Sequence, residues 1–381
     1  MRTLLLLHGI SGSGKSSFIS KHNLEPFTLS VQNLSMALRS IELTESDSTV
    51  MRKEDSDLKD LILNILERRM AEGLFTVIDG NNETAAECEP YVDLAHRYNY
   101  RVCWMDFPQT LENCISYNLK RDEYLRVSEE SIRSSFNVIE DLPYEKVTDI
   151  YKLLDNPEPD VLDEYKGVVI IGDIHSCGYT LKSIIAKYGK DYKIVLLGDY
   201  FDRGDKPYET FLILDYLTRQ DNVIAVIGNH DMILLNYMND KRMNYTSTMI
   251  TCMELANRDI SKSKIRSLYS RFRDCYLFEF AGKEYLCTHA GLPYYPDSLI
   301  KVSTRQMVNS VYELAGDIDR VYKENYIDGN PIQIHGHIPT ESNEYSFSLD
   351  GGVERGGSLH YAVIDKSGLR IEVVDNKRMD G

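Results

Sequence analysis

The sequence predicts an α/β protein of two domains, and three observations support that prediction. Short apolar runs typical of buried strands repeatedly end at a glycine or a polar residue, as strands do where they open into loops. Strands and helices alternate through the first half, an order that indicates a parallel sheet. The chain of 381 residues exceeds one average domain, and the acidic, two-proline stretch 153–160 suits a linker. We therefore predict domains at residues 1–156 and 157–381.

The composition limits the class of protein. A formal net charge of −16 argues against a protein that coats nucleic acid non-specifically, although a few local cations suffice to hold the end of a strand. Seven scattered cysteines without a Cys-x-x-Cys pair indicate reduced thiols in an intracellular protein. The apolar run Leu4–Leu7 is too short for a signal or membrane segment. We expect a soluble, cytoplasmic protein with no membrane partner.

The first strand-type run leads directly into a glycine-rich loop that fits the P-loop spacing G-x-x-x-x-G-K-[ST] from Gly9 to Ser16. In such a loop, successive backbone N–H groups face the phosphates of a nucleotide, with a helix N-terminus behind them. Lys15 reaches the β- and γ-phosphates and Ser16 ligates Mg²⁺. We predict binding of ATP or another nucleoside triphosphate with Mg²⁺. The residues assigned to this site are Gly12, Ser13, Gly14, Lys15, Ser16 and Ser17.

Two later elements are expected beside this loop. Asp79 ends the strand-type run 74–78, so it should lie at the nucleotide-binding edge of the sheet. The basic stretch 118–126 contains Arg121 and Arg126, which we assign to a lid that stabilises charge on a transferring phosphoryl group. Without the P-loop, a solvated helix face would be the better interpretation of this stretch.

The P-loop, the Asp79-x-x-Asn82 element and the two lid arginines resemble the kinase half of polynucleotide kinase-phosphatases, enzymes that repair broken RNA or DNA ends. The resemblance covers roughly the first 150 residues. It implies a 5′-hydroxyl kinase in which Lys15 and Arg126 act in catalysis.

One departure from that family concerns the acceptor site. The family has an aspartate that deprotonates the 5′-hydroxyl, followed shortly by an acceptor-binding arginine; these positions hold Gln32 and Ser35 here. Glutamine can hydrogen-bond a hydroxyl but cannot take its proton. Arg39 is a candidate replacement for the arginine. The first domain is therefore a slow kinase, a kinase with an altered acceptor, or a nucleotide-binding domain.

The second half carries five short polar motifs, each after a strand-type run. Asp199, at the end of one such run, is placed to bridge two divalent cations about 3.5–4 Å apart. Each motif alone is a weak signal, but the ordered set is strong. The motifs are Asp173-x-His175, Gly198-Asp199-x-x-Asp202-Arg203-Gly204, Gly228-Asn229-His230-Asp231, Thr288-His289 and Gly336-His337.

This ordered set resembles the calcineurin-like metallophosphatases, in particular the branch with phosphoprotein phosphatases and diadenosine-tetraphosphate hydrolases. The resemblance implies an α/β domain with a β-sandwich flanked by helices and a two-metal phosphoesterase site. The implied metal ligands are Asp173 and His175 for the first ion, Asp199 as the bridge, and Asn229, His289 and His337 for the second. Oxygen and imidazole donors without thiolate favour Mn²⁺ and similar ions.

The same resemblance supplies the catalytic roles. Arg203 is expected to bind phosphate oxygens. His230, oriented by Asp202, is expected to protonate the leaving oxygen. Asp350 matches a late acidic position of the kinase-phosphatase family and has no assigned role, and His335 is expected to support the site or to pack.

A basic cluster lies between the third and fourth motifs. A solvated helix face is the simpler interpretation, and a groove for a substrate strand is the alternative. Its members are Lys262, Lys264, Arg266, Arg271 and Arg273.

Together these features predict a nucleic-acid end-healing enzyme: an NTP-dependent 5′-hydroxyl kinase fused to a 3′-phosphatase or 2′,3′-cyclic phosphodiesterase. RNA is favoured by the family resemblance alone. The expected partners are RNA or DNA ends and a separate ligase, and a homo-oligomeric state is left open. Two alternatives remain: a protein or diadenosine-tetraphosphate phosphatase with a regulatory nucleotide-binding domain, and a nucleotide-gated binding or signalling module.

Overall fold

The structure, a computed structural model, describes residues 2–38, 56–241 and 245–376. The chain divides into two compact units. The first comprises Met1–Asp155 and Ser298–Ser303, and the second comprises Asn156–Asp297 and Thr304–Gly381. The short segment from the second half belongs to the first unit because Ile300 lies in that unit's core.

The first unit contains a five-stranded parallel sheet in the order β2-β3-β1-β4-β5. The predicted parallel sheet is confirmed. Its strands are β1 (Thr3–His8), β2 (Thr28–Ser30), β3 (Thr76–Asp79), β4 (Arg101–Asp106) and β5 (Glu145–Lys146). Its helices are α1 (Lys15–Lys21), α2 (Val31–Leu38), α3 (Ser56–Ala71), α4 (Ala85–Arg97), α5 (Leu111–Leu119), α6 (Glu129–Val138) and α7 (Ile150–Leu154).

The central strand β1 is buried on both faces, which is why its sequence is a continuous apolar run. Leu4 and Leu6 belong to one apolar cluster, with residues of α3 and α4. Leu5 and Leu7 belong to the cluster on the opposite face, with residues of α1 and α7. Alternate side chains of a strand point to opposite faces, so one short segment supplies the core on both sides of the sheet.

The carboxyl ends of β1 and β3 lie side by side, with Leu7 paired to Asp79. The Asn82 side-chain amide donates to the backbone oxygens of Leu7 (2.8 Å) and Ile78 (3.3 Å). These bonds hold the start of the glycine-rich loop against the Asp79-x-x-Asn82 element, so both predicted nucleotide-binding segments share one edge of the sheet.

The second unit contains two sheets, in the orders β10-β9-β8-β7-β15-β16 and β14-β13-β12-β11-β6. Their strands are β6 (Asp160–Val161), β7 (Gly167–Ile171), β8 (Tyr192–Leu196), β9 (Val223–Val226), β10 (Phe272–Arg273), β11 (Tyr276–Phe280), β12 (Lys283–Cys287), β13 (Ile332–His335), β14 (Ser346–Ser348), β15 (Ser358–Asp365) and β16 (Gly368–Asp375). The helices are α8 (Gly178–Tyr188), α9 (Pro207–Leu217), α10 (Asn229–Met238), α11 (Thr246–Asn257), α12 (Lys262–Tyr269), α13 (Thr304–Asn309) and α14 (Ile318–Glu324).

The two sheets enclose one apolar core, and the six-stranded sheet has a second core on its other face. Val168 and Ile170 of β7 pack with side chains of the five-stranded sheet, including Phe278. Val169 and Ile171 pack in a cluster with residues of α8 to α12. The predicted sandwich flanked by helices is confirmed. Among the described residues, no helix is both long and apolar enough to cross a membrane.

Helix α9 offers a matched test of this packing. Leu214 is fully buried and Leu212 is 47% exposed on the same helix. Leu214→Ala is expected to lower the free energy of unfolding by about 2–5 kcal/mol, because it removes buried methyl groups and leaves a cavity. Leu212→Ala should cost less than about 1 kcal/mol. Urea titration followed by far-ultraviolet circular dichroism measures the free energy of unfolding of both variants. Equal losses of stability in the two variants would contradict the assigned burial.

Candidate metal centre and phosphate-binding loop

The candidate metal ligands extend from the ends of strands in both sheets of the second unit. Asp173 follows β7, Asp199 follows β8, and Asn229 begins α10 shortly after β9. His289 follows β12 and His337 follows β13 in the other sheet. The carboxyl ends of parallel strands meet at one edge, which brings together residues that are far apart in sequence.

Two groups of candidate ligands share Asp199. One is Asp173, His175 and Asp199, and the other is Asp199, His289 and His337; within each group the donor atoms lie within 4.8 Å of one another. His175 Nε2 is 3.6 Å from Asp199 Oδ2, and His289 Nε2 is 3.4 Å from Asp199 Oδ1. The shared carboxylate is therefore placed between two potential cation positions.

Asn229 completes the second group. Its amide oxygen lies 3.0 Å from His289 Nε2 and 3.1 Å from His337 Nδ1. With the nitrogen facing inward, the amide would donate to His289, His337 and Asp199; with the oxygen inward, these atoms are electron-pair donors directed at a common point. Such atoms repel one another unless a cation lies among them, and oxygen with imidazole nitrogen suits ions such as Mn²⁺. The residues present therefore fit divalent cations.

Backbone carbonyls orient two of the imidazole rings. His175 Nδ1 lies 3.2 Å from Phe201 O, and His289 Nδ1 lies 2.8 Å from Leu197 O. A carbonyl accepts a hydrogen bond only, so each Nδ1 carries the proton. Each Nε2 then faces Asp199 as a potential ligand, an arrangement typical of metal-binding histidines.

The electrostatics of the site reflect crowded, buried carboxylates. Burial raises the pKa of Asp173 well above its usual range, and the neighbouring Asp199 and Asp350 carboxylates raise it further. Burial alone would lower the pKa of His289, but Asp199 and Asp173 outweigh it and raise that pKa to about 10. Protons and cations compete for these groups, so metal affinity should rise with pH.

The backbone of the site is tightly constrained. Gly228 and Gly336 are required because a Cβ there would lie 2.2 Å from Asp199 Oδ1 and 2.1 Å from Asp173 Oδ1, respectively. Several site residues also have positive φ, which is uncommon for residues other than glycine and clusters at functional sites. They are His175 (42°), Asp199 (50°), Asp202 (70°), Arg203 (65°) and His337 (69°).

A hydrogen-bonded chain of three side chains lies beside the ligands. His230 Nδ1 is 2.9 Å from Asp202 Oδ2, and the Thr248 hydroxyl donates to the same carboxylate oxygen. Asp202 is fully buried. Asp202 is thus placed as predicted to orient His230. Thr248 was not predicted, because it lies on α11, outside every motif.

Asp231 is a second residue whose role the sequence did not reveal. One of its carboxylate oxygens accepts from the backbone N–H groups of Asp199 (2.9 Å) and Gly228 (2.8 Å), and the other accepts from Tyr200 N (3.2 Å). Burial raises its pKa to about 7, and the charge of Asp199 contributes. Asp231 was visible as the last residue of the Gly-Asn-His-Asp motif, and the structure shows that it holds the loop carrying Asp199.

The remaining predicted residues lie around this centre. Arg203 Nη1 donates to Glu354 Oε1 at 3.2 Å. His335 Nε2 lies 3.1 Å from Asp319 Oδ1 on α14, so this histidine is bound to a buried carboxylate. Asp350 Oδ1 accepts from Gly352 N at 2.9 Å, and its charge raises the pKa of Asp173 after the larger effect of burial.

The glycine-rich loop of the first unit forms a separate candidate site. Gly12 and Gly14 have φ values of 85° and 104°, and α1 begins at Lys15. Ser16 and Ser17 are exposed in the first turn of that helix, while Ser13 is buried. The loop therefore has the conformation that a phosphate cradle requires.

Lys15 is held against this loop. Its ammonium group donates to Ile10 O at 3.1 Å and to Gly9 O. Burial lowers the pKa of Lys15 to about 8, Asp79 opposes that shift, and Arg121 reinforces it. Asp79 and Arg121 are thus within electrostatic reach of the lysine, as the predicted site requires.

The predicted lid contacts Gln32, which stands where the kinase family has an aspartate. Arg121 Nη2 donates to Gln32 Oε1 at 2.9 Å, and Gln32 Nε2 donates to Leu125 O at 3.3 Å. Arg126 is exposed, and its Nε donates to Arg121 O at 3.0 Å. Gln32 lies in the first turn of α2 and Ser35 is buried on the same helix. Arg39 lies outside the described residues.

Comparison with known families decides the identity of the second unit. The family model described as calcineurin-like phosphoesterase matches residues 167–361, just over half of the 381-residue chain. The chain belongs to the calcineurin-like phosphoesterase family. A second model, described as an AAA domain, matches residues 4–141. The predicted order, a P-loop domain followed by a calcineurin-like metallophosphatase domain, is confirmed, and the family implies divalent metal ions.

Several known proteins are similar to about half of this calcineurin-like phosphoesterase. A bis(5′-nucleosyl)-tetraphosphatase PrpE of Bacillus subtilis is 27% identical over 221 residues, covering 50% of this chain and 87% of the relative. Its counterpart in Halalkalibacterium halodurans is 24% identical over 222 residues, with the same coverage of both chains. A metallophosphoesterase structure from Sphaerobacter thermophilus has 18% identity and a TM-score of 0.37, covering 56% of this chain and 89% of that one.

The basic cluster of this calcineurin-like phosphoesterase is largely occupied by internal contacts. Arg266 donates to Met238 O at 2.9 Å, and Arg271 donates to Asp215 at 2.5 Å. Lys262 pairs with Asp240. These bonds favour the structural interpretation of the cluster over a groove for a substrate strand.

The role of Thr248 can be tested by removing only its hydroxyl. Thr248→Val is expected to lower kcat for phosphoester hydrolysis about tenfold, because Asp202 loses a hydrogen-bond donor and holds His230 less well. Thr248→Ser should retain most activity. Thr246→Val, at an exposed position of the same helix, is the matched control. Hydrolysis of p-nitrophenyl phosphate measures all three, and a fully active Thr248→Val protein would contradict this role.

The shared position of Asp199 predicts a coupled loss of metal and activity. Asp199→Asn is expected to lower kcat/KM at least about 100-fold and to lower metal content below about two ions per chain, since both groups use this carboxylate. Elemental analysis after dialysis against Mn²⁺ at pH 6 and pH 8 measures the metal, with higher occupancy expected at pH 8. Asp205→Asn, an exposed neighbour in the same loop, is the control. Full metal content in Asp199→Asn would contradict the bridging role.

Proposed function

We propose that this protein heals broken nucleic-acid ends: the first unit phosphorylates 5′-hydroxyls, and the second removes 3′-phosphates or opens 2′,3′-cyclic phosphates. The observation that carries the proposal is the presence in one chain of a P-loop site and a two-group metal centre. Sealing a strand needs a 5′-phosphate and a 3′-hydroxyl, and these two sites have the chemistry to make them. We favour RNA, with ATP or another triphosphate as the phosphate donor and a separate ligase as a partner.

In the second unit, divalent cations held by the two ligand groups would activate water for attack on phosphorus. The protein's own residues bind and orient the substrate. The Arg203 guanidinium donates to Glu354 through Nη1, and its other N–H groups can bind phosphate oxygens. Since the Nδ1 of His230 is bound to Asp202, its Nε2 is the nitrogen that can protonate the leaving oxygen.

In the first unit, the contacts support phosphate binding more directly than activation of the acceptor. Lys15, Asp79 and Arg121 lie close enough to influence one another electrostatically. Gln32 offers an amide to an incoming hydroxyl but cannot accept its proton. The proposed kinase is therefore expected to be slow with a 5′-hydroxyl end.

A second candidate function follows from the relatives. Several are named bis(5′-nucleosyl)-tetraphosphatases, and two of these match 50% of this chain over 87% of their own length. In this alternative, the second unit cleaves dinucleoside polyphosphates and the P-loop unit regulates it by binding a nucleotide.

A paired assay separates these functions. The protein is incubated with labelled ATP and a 5′-hydroxyl oligoribonucleotide, and separately with oligonucleotides that end in a 3′-phosphate or a 2′,3′-cyclic phosphate. Lys15→Ala should lose label transfer and retain hydrolysis, because Lys15 binds the transferred phosphates. Asp199→Asn should retain label transfer and lose hydrolysis.

Diadenosine tetraphosphate and a phosphopeptide serve as competing substrates in the same assay. Label transfer by the Lys15→Ala protein equal to that of the parent would overturn the kinase. A much higher kcat/KM for diadenosine tetraphosphate than for any nucleic-acid end would favour the second candidate.

A further inference from the structure

A buried glutamate beside the phosphate-binding arginine is not explained by the metal centre. Glu354 lies in the short 3₁₀ helix Val353–Arg355, and its side chain is only 5% exposed. Its Oε1 accepts from Arg203 at 3.2 Å and lies 3.2 Å from Arg355 Nε. Its Oε2 is buried and has no hydrogen-bond partner among the described residues.

This arrangement is unfavourable for stability alone. A buried carboxylate oxygen without a donor loses its hydration and receives nothing in exchange. A neutral or apolar side chain at position 354 would avoid that cost. The position of the carboxylate therefore points to a role in the chemistry of the site.

The loop that carries Arg203 packs against the first ligand group. A Cβ added at Gly204, the next residue, would lie 2.0 Å from His175 O. Arg203 follows Asp202 in the loop after β8, so the ion pair between Arg203 and Glu354 borders both the metal ligands and the proton donor.

We propose that Glu354 sets the charge preference of the phosphoesterase: by neutralising Arg203, it favours a reacting phosphate with one negative charge over one with two. Phosphodiesters, including 2′,3′-cyclic phosphates, and internal phosphoanhydrides belong to the first class. Terminal phosphomonoesters at neutral pH belong to the second. The assignment of cyclic phosphates as the natural substrate rests on the proposed function.

The physical argument is Coulombic. A unit negative charge at Glu354 repels a phosphate dianion twice as strongly as a monoanion at the same distance, and burial weakens the screening by water. Arg355 does not cancel this effect, because its side chain is 74% exposed and solvent screens its charge. The discrimination therefore depends on the buried carboxylate.

Two aryl substrates that release the same leaving group test this charge preference. p-Nitrophenyl phosphate is a dianion at pH 8, whereas bis(p-nitrophenyl) phosphate is a monoanion. The ratio of kcat/KM for the monoester to kcat/KM for the diester is measured for the parent, Glu354→Gln and Glu354→Asp. Glu354→Gln should raise the ratio about tenfold and lower the Ki of inorganic phosphate by a similar factor.

The variants separate charge from shape. Glu354→Asp keeps the charge, so its ratio should stay near that of the parent. Asp215→Asn is the matched control. Asp215 Oδ1 also accepts from two arginines, Arg219 at 2.9 Å and Arg271 at 2.5 Å, but it lies near the C-terminal end of α9. Its ratio should not change. In 0.5 M NaCl, the difference between Glu354→Gln and the parent should shrink but persist.

Two results would overturn the proposal. An unchanged ratio in Glu354→Gln would show that the charge is not used for discrimination. Parallel loss of both activities in Glu354→Gln would show that Glu354 only positions Arg203. The aryl substrates contain no nucleic acid. A shifted ratio would therefore support the charge preference even if oligonucleotide ends are not cleaved. Cleavage of those ends would support the proposed function even if the ratio does not shift.

Discussion

The buried Asp199 carboxylate is the group on which the rest of the second unit depends. It belongs to both ligand groups, its Oδ1 accepts from His230 N at 2.9 Å, and its own backbone N–H donates to Asp231. Asp231 also binds Gly228 N, so one fully buried carboxylate holds the loop after β8 against the start of α10. A buried charge at this position is tolerated only because histidines and backbone donors surround it.

Much of the fold and the clustering of most candidate metal ligands could be predicted because their signals are local in sequence. Each ligand motif follows a strand-type run, and the ends of parallel strands meet at one edge whatever the length of chain between them. Thr248 and Glu354 could not be predicted this way. Packing of α11 and of the 3₁₀ helix before β15 brings these residues to the site, and neither residue lies in a recognisable motif. The assignment of Ser298–Ser303 to the first unit depends on tertiary packing in the same way.

In the first unit, the contacts of Gln32 show what changes when a glutamine replaces the aspartate of the kinase family. Gln32 accepts a hydrogen bond from Arg121 while its amide nitrogen binds Leu125 O. A carboxylate at this position would hold Arg121 in a charge-assisted pair, which is stronger than a bond to a neutral amide. In the proposed kinase, glutamine would therefore leave the lid arginine freer to bind phosphate but would supply no proton acceptor for an incoming hydroxyl.

The charge of the metal centre explains why a further carboxylate is tolerated beside it. Of the six candidate ligands, only Asp173 and Asp199 carry a negative charge when ionised, and the others are neutral imidazoles or an amide. Two divalent cations would leave this ligand set with a net positive charge, and Arg203 adds another. Such a site would attract every phosphate strongly, including a dianionic product. A buried glutamate that offsets one positive charge would weaken that attraction most for dianions, so a loaded centre would release a dianionic product, such as the phosphomonoester left by diester cleavage, more readily.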